Sequence, residues 1–330
     1  MFELDLLRIK KALEGLAEPL ELRIHTSPHR TVLNEQFIEA AFQIEQATSG
    51  SVRVVKVDGK RREHLPALPA MSLYWRGKSN IHYLAIPQGP EVLPFIEALI
   101  ELPRGAAGHT ERWTKLLAGK RRRSDVYVFV HPACTNCPAA VRAALKLSQV
   151  SREVHTSIID VERFDKLVRR YNVRVVPTTV LDGSWTHVGP VQPGRLAELI
   201  SRADSVGVRQ QVFDSMVDAG RLDDAASWLL RNGSACFAGA WKKAGLQQRM
   251  ALMLIAEKAL MQRQDALAEA VPLLIEYIEE AESGAKGDTA DLLGIIGDAR
   301  AVGAIRRLLS DGDPEVVEVA RDVLKNLPDA

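Results

Sequence analysis

Residues 126–138 read VYVFVHPACTNCP, a continuous apolar run that is followed by two cysteines with two residues between them. After the second cysteine, small or apolar residues repeat with the i, i+3, i+4, i+7 spacing of one helix face: Val141, Ala144, Leu145 and Ser148. The pattern predicts a buried strand that leads Cys134 to the N-terminus of a helix. There the unpaired backbone N–H groups and the helix dipole favour a thiolate, the form of cysteine that attacks disulfides.

The segments that follow complete an α/β pattern. Val154–Asp160 is predicted to be a strand, and residues 161–171 are predicted to form a helix. A hairpin is expected over Thr178–Val188, because its centre, Asp182-Gly183, is a residue pair suited to positive φ. Pro177 stands directly before this hairpin, so the Val176-Pro177 bond is a candidate cis peptide.

The order strand, CxxC helix, strand, helix, X-Pro, hairpin, helix is that of the thioredoxin fold. The motifs Cys-x-Asn-Cys-Pro and Val-Pro-Thr, together with the Asp-Gly hairpin, resemble the N-terminal domain of the F subunit of alkyl hydroperoxide reductase. They also resemble the two-domain protein disulfide oxidoreductases of thermophiles. Both families carry two thioredoxin folds in tandem, and in the first family only the second fold keeps the CxxC. The resemblance implies the same α/β thioredoxin-like fold class here.

Residues 20–102 repeat this order of elements and predict an internal duplication. Leu68-Pro69 leads into a hairpin with its turn at Gly77-Lys78, as Val176-Pro177 leads into the second hairpin. In place of the cysteines the first copy has Thr26-Ser27-Pro28-His29-Arg30, so it cannot exchange disulfides. His29 is either a surface residue or a ligand. We expect this first fold to pack against the second and to shape its substrate groove.

Beyond residue 204 the pattern becomes helical, with many Ala and Leu residues. Asp298 and Asp313 stand where helix N-caps belong, and Pro314 occupies a first helical position. Residues 292–317 are similar to HEAT repeats of the phycobilin-lyase type. The sequence therefore predicts three domains: residues 1–120, a degenerate thioredoxin fold with a linking helix; residues 121–203, a redox-active thioredoxin- or glutaredoxin-like fold; and residues 204–330, an all-α HEAT-like domain.

The CxxC motif predicts a thiol-disulfide oxidoreductase. We assign Cys134 as the attacking thiolate, because it is nearer the helix start, and Cys137 as the resolving thiol. A structural pair or half of a zinc site is the alternative, but no second Cys/His pair has suitable spacing, and no metal is predicted. His131 and Asn136 are candidate modulators of the thiols, by charge and by hydrogen bonding.

The resemblance to thioredoxin-like proteins adds a substrate-binding segment. It implies that the backbone of Val176, next to Pro177, faces the CxxC and pairs with an extended client segment, and that Thr178 lines this site. Thioredoxin also keeps a buried acid on the strand before its CxxC, whereas residues 126–130 are wholly apolar here. Proton transfer is therefore expected from water or from another group. The family resemblance further implies a peroxiredoxin as client.

Bulk properties limit the remaining choices. A formal net charge of +1 gives no overall field that would recruit nucleic acid or acidic membranes. No signal segment or membrane-length apolar run is seen, and three cysteines, two of them in one CxxC, fit a reducing compartment, so we expect a cytoplasmic protein. Lys120–Arg123 is either a solvated linker or a nucleic-acid patch, and Cys236 is either a buried helix residue or a third redox cysteine.

No G-x-G-x-x-G fingerprint follows a strand, so no cofactor is predicted and a separate reductase or small thiol must supply the electrons. A second functional class stays open on the sequence alone. In it the chain is a redox-sensitive interaction protein whose helical tail docks a protein partner.

Overall fold

The computed structural model describes residues 19–29, 31–57, 65–104, 112–120, 122–203 and 205–327. Arg30 and Arg121 of the motifs discussed above lie outside these ranges. The chain divides into two compact units, Met1–Arg202 and Ala203–Ala330. The described strands all belong to the first unit. The CxxC at residues 134–137 lies in the same unit.

The first unit alternates strands and helices in the predicted order. The strands are β1 Leu20–His25, β2 Val52–Val57, β3 Ala70–Trp75, β4 Lys78–Leu84, β5 Ser124–Val130, β6 Val154–Asp160, β7 Thr178–Leu181 and β8 Trp185–Val188. The helices are α1 Val32–Ala47, α2 Val92–Glu101, α3 Arg112–Ala118, α4 Cys137–Val150, α5 Asp165–Arg170 and α6 Pro193–Ala203. A short 3₁₀ turn, Gly89–Glu91, leads directly into α2.

The eight strands that the structure describes form one sheet in the order β2-β1-β3-β4-β6-β5-β7-β8. In the first half β1 pairs in parallel with β2 and antiparallel with β3; in the second half β5 pairs in the same way with β6 and β7. The two halves join through the parallel pair β4–β6. The predicted fold class, two thioredoxin-like folds in tandem followed by helices, is confirmed.

The strand pairing brings both X-Pro segments to one edge of the sheet. Strands β1, β4, β5 and β6 run in the same direction, so their carboxyl ends meet there, together with the starts of the antiparallel strands β3 and β7. The Leu68–Pro69 and Val176–Pro177 bonds, which precede β3 and β7, are both cis, as predicted for the second. The CxxC follows β5 at this same edge.

In the first fold, hydrogen bonds from one asparagine close the loop that stands in place of the CxxC. The Nδ2 group of the buried Asn34 donates to the carbonyl oxygens of Ser27 at 3.3 Å and His29 at 2.7 Å. Its Oδ1 accepts the N–H of Ser27 at 3.2 Å. His29 itself is exposed, which fits the surface role. Hydrogen bonds from Asn34 therefore hold this loop in the first fold, where no disulfide is present among the described residues.

Contacts between the halves place α2 of the first fold against α4 of the second. The Arg142 guanidinium on α4 donates to both carboxylate oxygens of Glu97 on α2, at 2.6 and 3.1 Å. Asn80 Nδ2 at the start of β4 donates to three carbonyl oxygens in and after α4, those of Ser148, Ser151 and Val154. The first fold therefore lies directly against the helix that begins at Cys137.

The second unit consists of helices in the residues that the structure describes. They are α7 Val206–Asp218, α8 Leu222–Asn232, α9 Ala235–Lys243, α10 Leu246–Gln262, α11 Val271–Glu280, α12 Ser283–Ile296, α13 Val302–Leu308 and α14 Pro314–Asn326. Its core includes four large aromatic side chains: Phe213, Trp228, Phe237 and Trp241. Among the described helices, none is long and apolar enough to cross a membrane.

Two details of the helical unit test the sequence patterns. Asp298 and Asp313 are N-caps as predicted, accepting the N–H groups of Arg300 at 2.9 Å and Glu315 at 3.0 Å. Helix α11 begins at Val271 and has Pro272 in its first turn, where the N–H that proline lacks is not needed for an intrahelical hydrogen bond. The HEAT-like arrangement of these helices remains a prediction.

Candidate active site

A short loop carries the chain from the buried strand β5 to helix α4. All seven residues of β5 are buried, which explains the continuous apolar run at residues 126–130. A turn follows, closed by the Cys134 N–H donating to the His131 carbonyl at 2.9 Å. Helix α4 begins at Cys137, and Pro138 in its first turn needs no hydrogen-bond partner for its nitrogen. The predicted succession of strand, CxxC and helix is confirmed.

The two sulfurs of the CxxC are joined in a disulfide, with the Cα atoms of Cys134 and Cys137 5.5 Å apart. Cys137 is fully buried, whereas Cys134 is partly exposed. The N–H of Cys137 donates to Cys134 Sγ at 3.1 Å. This donor at a helix N-terminus favours a thiolate on Cys134 after reduction. The geometry therefore offers one accessible sulfur and one sheltered sulfur within bonding distance of each other.

The cis proline lies beside the end of β5. Thr178, the first residue of β7, stands opposite Phe129 in the antiparallel register, so Pro177 falls next to Val130 and the start of the CxxC loop. Pro177 is buried, and Val176 is partly exposed. The Thr178 hydroxyl donates to the Val175 carbonyl at 2.6 Å and thus stabilises the segment itself. The substrate-binding role of residues 176–178 remains a prediction.

His131 and Asn136 flank the cysteines without a hydrogen bond to either sulfur among the described residues. His131 Nδ1 accepts the N–H of Ala133 at 3.0 Å, and its Nε2 lies 2.9 Å from Glu162 Oε1. Asn136 is exposed at the N-cap position of α4, and its side chain makes no capping hydrogen bond. If His131 modulates the thiols, it does so through its charge rather than through a contact.

A buried carboxyl that the sequence analysis did not single out lies next to this loop. Gly89 has φ +56°, and a Cβ there would lie 2.8 Å from the carbonyl oxygen of Pro132, so the segment rests on the loop before Cys134. Two residues later, Glu91 is 4 % exposed, and its carboxylate oxygens have no hydrogen-bond partner among the described residues. Burial raises the pKa of Glu91 to about 7, against the opposing charge of Arg142.

Another buried acid lies at the same edge of the sheet, but its oxygens are occupied. Asp160 stands opposite Val130 in the parallel register, and burial raises its pKa. Its two carboxylate oxygens accept the N–H of Glu162 at 3.0 Å and the Arg163 guanidinium at 2.9 Å. Of these two acids, Glu91 is the one whose oxygens are not engaged. The first fold thus places an unengaged buried carboxyl beside the Pro132 loop, which follows the acid-free residues 126–130.

The remaining cysteine, Cys236, belongs to the helical unit. Cys236 is buried in α9, and burial raises its pKa to about 11. It therefore stays protonated at neutral pH, and its interpretation as a buried helix cysteine is supported. In the part of the chain that the structure describes, no group of three or more His, Cys, Asp or Glu side chains could hold a metal ion.

Substituting Gly89 tests the contact between the two folds. Gly89→Ala is expected to destabilise the protein by about 2–3 kcal/mol, since the residue needs a positive φ and the new methyl group would meet the Pro132 carbonyl. Gly77→Ala is the matched control, because Gly77 also has a positive φ but nothing within 4 Å of its Cβ position. It should cost only about 1 kcal/mol. Equal losses on chemical denaturation would show that the Pro132 loop simply moves aside.

Comparisons with known proteins agree with this geometry. Residues 124–201 match the family model described as thioredoxin domain. One similar solved structure is a protein disulfide oxidoreductase from Aeropyrum pernix K1, with a TM-score of 0.53, 16% identity, and coverage of 61% of this chain and 92% of that chain. Another is the NTD_N/C domain of alkylhydroperoxide reductase AhpF from Enterococcus faecalis V583, with a TM-score of 0.51, 15% identity, and coverage of 60% and 99%.

At these identities the likeness shows the fold. No curated protein sequence matches the chain. The resemblance of the tandem folds to these two groups, predicted from the motifs, is confirmed. The chain contains a thioredoxin domain with a CxxC disulfide, and its tandem folds resemble in fold those of a protein disulfide oxidoreductase.

Proposed function

We propose that the chain is a thiol-disulfide oxidoreductase that reduces or exchanges disulfides of a protein client. One observation carries the proposal: a disulfide joins the partly exposed Cys134, before the N-terminus of α4, to the buried Cys137. An accessible sulfur can attack a client, and a sheltered sulfur can attack only its neighbour. This is the division of labour that thiol-disulfide exchange needs.

The reaction begins with the reduced dithiol. The Cys134 thiolate attacks one sulfur of the client disulfide, which forms a mixed disulfide and releases the other client sulfur as a thiolate. Cys137 then gives up its proton and attacks Cys134 Sγ, which breaks the mixed disulfide and frees the second client thiolate. Two electrons pass to the client, and the Cys134–Cys137 disulfide remains. A separate reductase or a small thiol restores the dithiol.

Glu91 takes the proton that Cys137 gives up. Its position beside the Pro132 loop and α4 supports this role, as does the absence of an acid on residues 126–130. Its pKa of about 7 suits a group that must both accept and release a proton at neutral pH. The backbone at Val176 and Pro177 pairs with the client segment as a short added strand, and Thr178 supports that segment.

The oxidoreductase proposal extends to a client protein and to a cellular compartment. We propose a peroxiredoxin as client, supported by the likeness to a domain of an alkylhydroperoxide reductase. We also propose a reducing, cytoplasmic compartment, supported by the small number of cysteines. The electron donor is then a reductase or a small thiol of that compartment.

A redox titration tests the proposal. The full-length protein is equilibrated in dithiol/disulfide buffers of defined potential, and the thiols of Cys134 and Cys137 are counted by alkylation and mass. A reversible two-electron transition between roughly −220 and −320 mV is expected. The Cys236→Ser variant should titrate identically. A pair that stays reduced or oxidised across the whole range would refute the oxidoreductase proposal.

One observation favours a second candidate, a redox-sensitive protein that docks a partner through its helical unit. Helix α10 exposes apolar side chains along one face: Leu246, Met250, Leu254 and Met261. Such a patch is typical of a protein interaction site. A protein that acts only as a scaffold should keep its partner in the Cys134→Ser variant and should show no turnover in the parent.

A further inference from the structure

Two buried polar groups flank Phe95 of α2: the ring of Tyr83 packs against it, and Glu91 precedes it by about one helical turn. The Tyr83 hydroxyl on β4 and the Glu91 carboxyl before α2 are both nearly inaccessible, with residue exposures of 1 % and 4 %. Neither has a hydrogen-bond partner among the described residues. Leaving buried polar groups unpaired costs about 1–3 kcal/mol each. Two buried polar groups left without hydrogen bonds suggest a functional reason for their unpaired state.

The surroundings hold the Tyr83 ring in place. Tyr83 stands between Met71 of β3 and Ile158 of β6 in the sheet register. The ring packs edge-on against Phe95 of α2, with the two ring centroids 5.0 Å apart. Burial raises the pKa of Tyr83, and the negative charges of Glu91 and then Glu97 raise it further. The phenol therefore remains a neutral hydrogen-bond donor.

Two charged groups from different elements act on this pair. Arg142 of α4 places a positive charge near Glu91, and Glu97 of α2 places a negative charge near Tyr83. Arg142 already donates to both carboxylate oxygens of Glu97, at 2.6 and 3.1 Å, and so offers Glu91 a positive charge rather than a direct bond. Tyr83, on β4, is the neutral donor beside Glu91 that no other described group engages.

We propose that Tyr83 is a positioning residue for Glu91, whose hydroxyl donates a hydrogen bond to the Glu91 carboxylate whenever that carboxylate has lost its proton. The inference rests on the proposed function, in which Glu91 accepts the proton of Cys137. A donor to the ionised form lowers the pKa of a carboxyl, so the hydroxyl opposes the effect of burial. Tyr83 then keeps Glu91 able to accept a proton at neutral pH.

The test follows Glu91 directly rather than through activity. The carboxyl carbons of glutamate are labelled with ¹³C in the full-length oxidised protein, and the Glu91 signal is identified by its loss in Glu91→Gln. The midpoint of the parent serves as the reference. In Tyr83→Phe the midpoint should rise by about one pH unit, because the donor is removed while the ring contact with Phe95 is kept.

Tyr74→Phe is the matched control. Tyr74 lies on β3 with its ring under the Arg23 guanidinium, 3.3 Å from the ring centroid, and in the register it falls on the sheet face opposite to Tyr83. The Glu91 midpoint should not move in this variant. An unchanged midpoint in a folded Tyr83→Phe protein would overturn the inference.

A second variant covers a failure of Tyr83→Phe to fold. Site-specific 3-fluorotyrosine at position 83 keeps the ring and provides a stronger hydrogen-bond donor, so the Glu91 midpoint should fall; no movement would again overturn the inference. The outcomes also separate the two claims. A midpoint that responds to Tyr83, in a protein whose exchange rate ignores Glu91→Gln, sustains the positioning role and refutes the proton-accepting role of Glu91.

Discussion

Cys137→Ser is expected to convert the protein into a trap that captures client proteins and cannot release them. The variant keeps the Cys134 thiolate and loses the sulfur that resolves the mixed disulfide, so a covalent complex should accumulate and be visible by mass on a non-reducing gel. Cys134→Ser should form no such complex. Because it removes the nucleophile, we expect its rate of disulfide reduction to fall on the order of a thousandfold or more.

The third cysteine provides the matched control for both variants. Cys236→Ser removes a thiol that is buried in α9, so the rate of disulfide reduction should stay unchanged and no complex should accumulate. The rate is measured on a protein disulfide substrate with a dithiol as the electron source. Accumulation of complex with Cys134→Ser, or of none with Cys137→Ser, would show that the attacking and resolving roles are assigned the wrong way round.

Glu91→Gln is expected to have the second-largest effect. The amide keeps the size of the side chain but cannot accept the proton of Cys137, so the resolving step should slow by about 10²-fold at pH 8. In the parent this step should accelerate as the pH rises through about 7, where Glu91 ionises. The variant should lack that dependence. Release of a client from a preformed mixed disulfide, followed from pH 5.5 to 8.5, measures the step.

Glu91→Gln, which is expected to slow the resolving step, is also expected to stabilise the folded protein relative to the parent as the pH rises. The Glu91 pKa is raised from 4.5 to about 7 in the folded protein, so the folded state holds a proton that the unfolded state releases between these values. Parent stability therefore falls as the pH rises through this window, by an amount on the order of 3 kcal/mol. Glu91→Gln should escape this loss. Its free energy of unfolding relative to the parent should rise between pH 4 and pH 8.

Glu101→Gln is the control for both measurements. Glu101 ends helix α2, ten residues from Glu91, and its side chain is only partly buried. Neither the release kinetics of this variant nor the pH dependence of its stability should differ from those of the parent. A pH profile of release that is identical in the parent and Glu91→Gln would remove Glu91 from the mechanism.

Features of the fold and site that depend on local sequence could be predicted. The apolar run of β5 must be buried, a CxxC before a helical pattern must start that helix, and Asp182-Gly183 permits the positive φ values that the hairpin adopts. The first fold was recognised in the same way, by a second X-Pro and hairpin. These signals lie within a few residues of the structure that they specify.

Glu91 could not be predicted because its character arises from packing between distant segments. A glutamate at the start of a helix is usually a solvated residue that favours the helix dipole. Here Gly89 contacts Pro132 and α2 contacts α4, and these contacts bury Glu91 away from solvent. The start of the helix predicted at residue 161 was wrong for a local reason. The Asp160 carboxylate accepts the N–H of Glu162, which holds a turn, and α5 begins only at Asp165.

The parallel pairing of β4 with β6 joins the two folds of the first unit into one continuous sheet, so no flexible hinge separates their described strands. Hydrogen bonds run across this joint, and Asn80 fastens β4 to the far end of α4. We then expect the disulfide to form and break at one edge of this sheet without a rearrangement of the strands. We therefore expect the first unit to distinguish its electron donor from its client by the few side chains that surround Cys134, rather than by a change in the shape of its sheet.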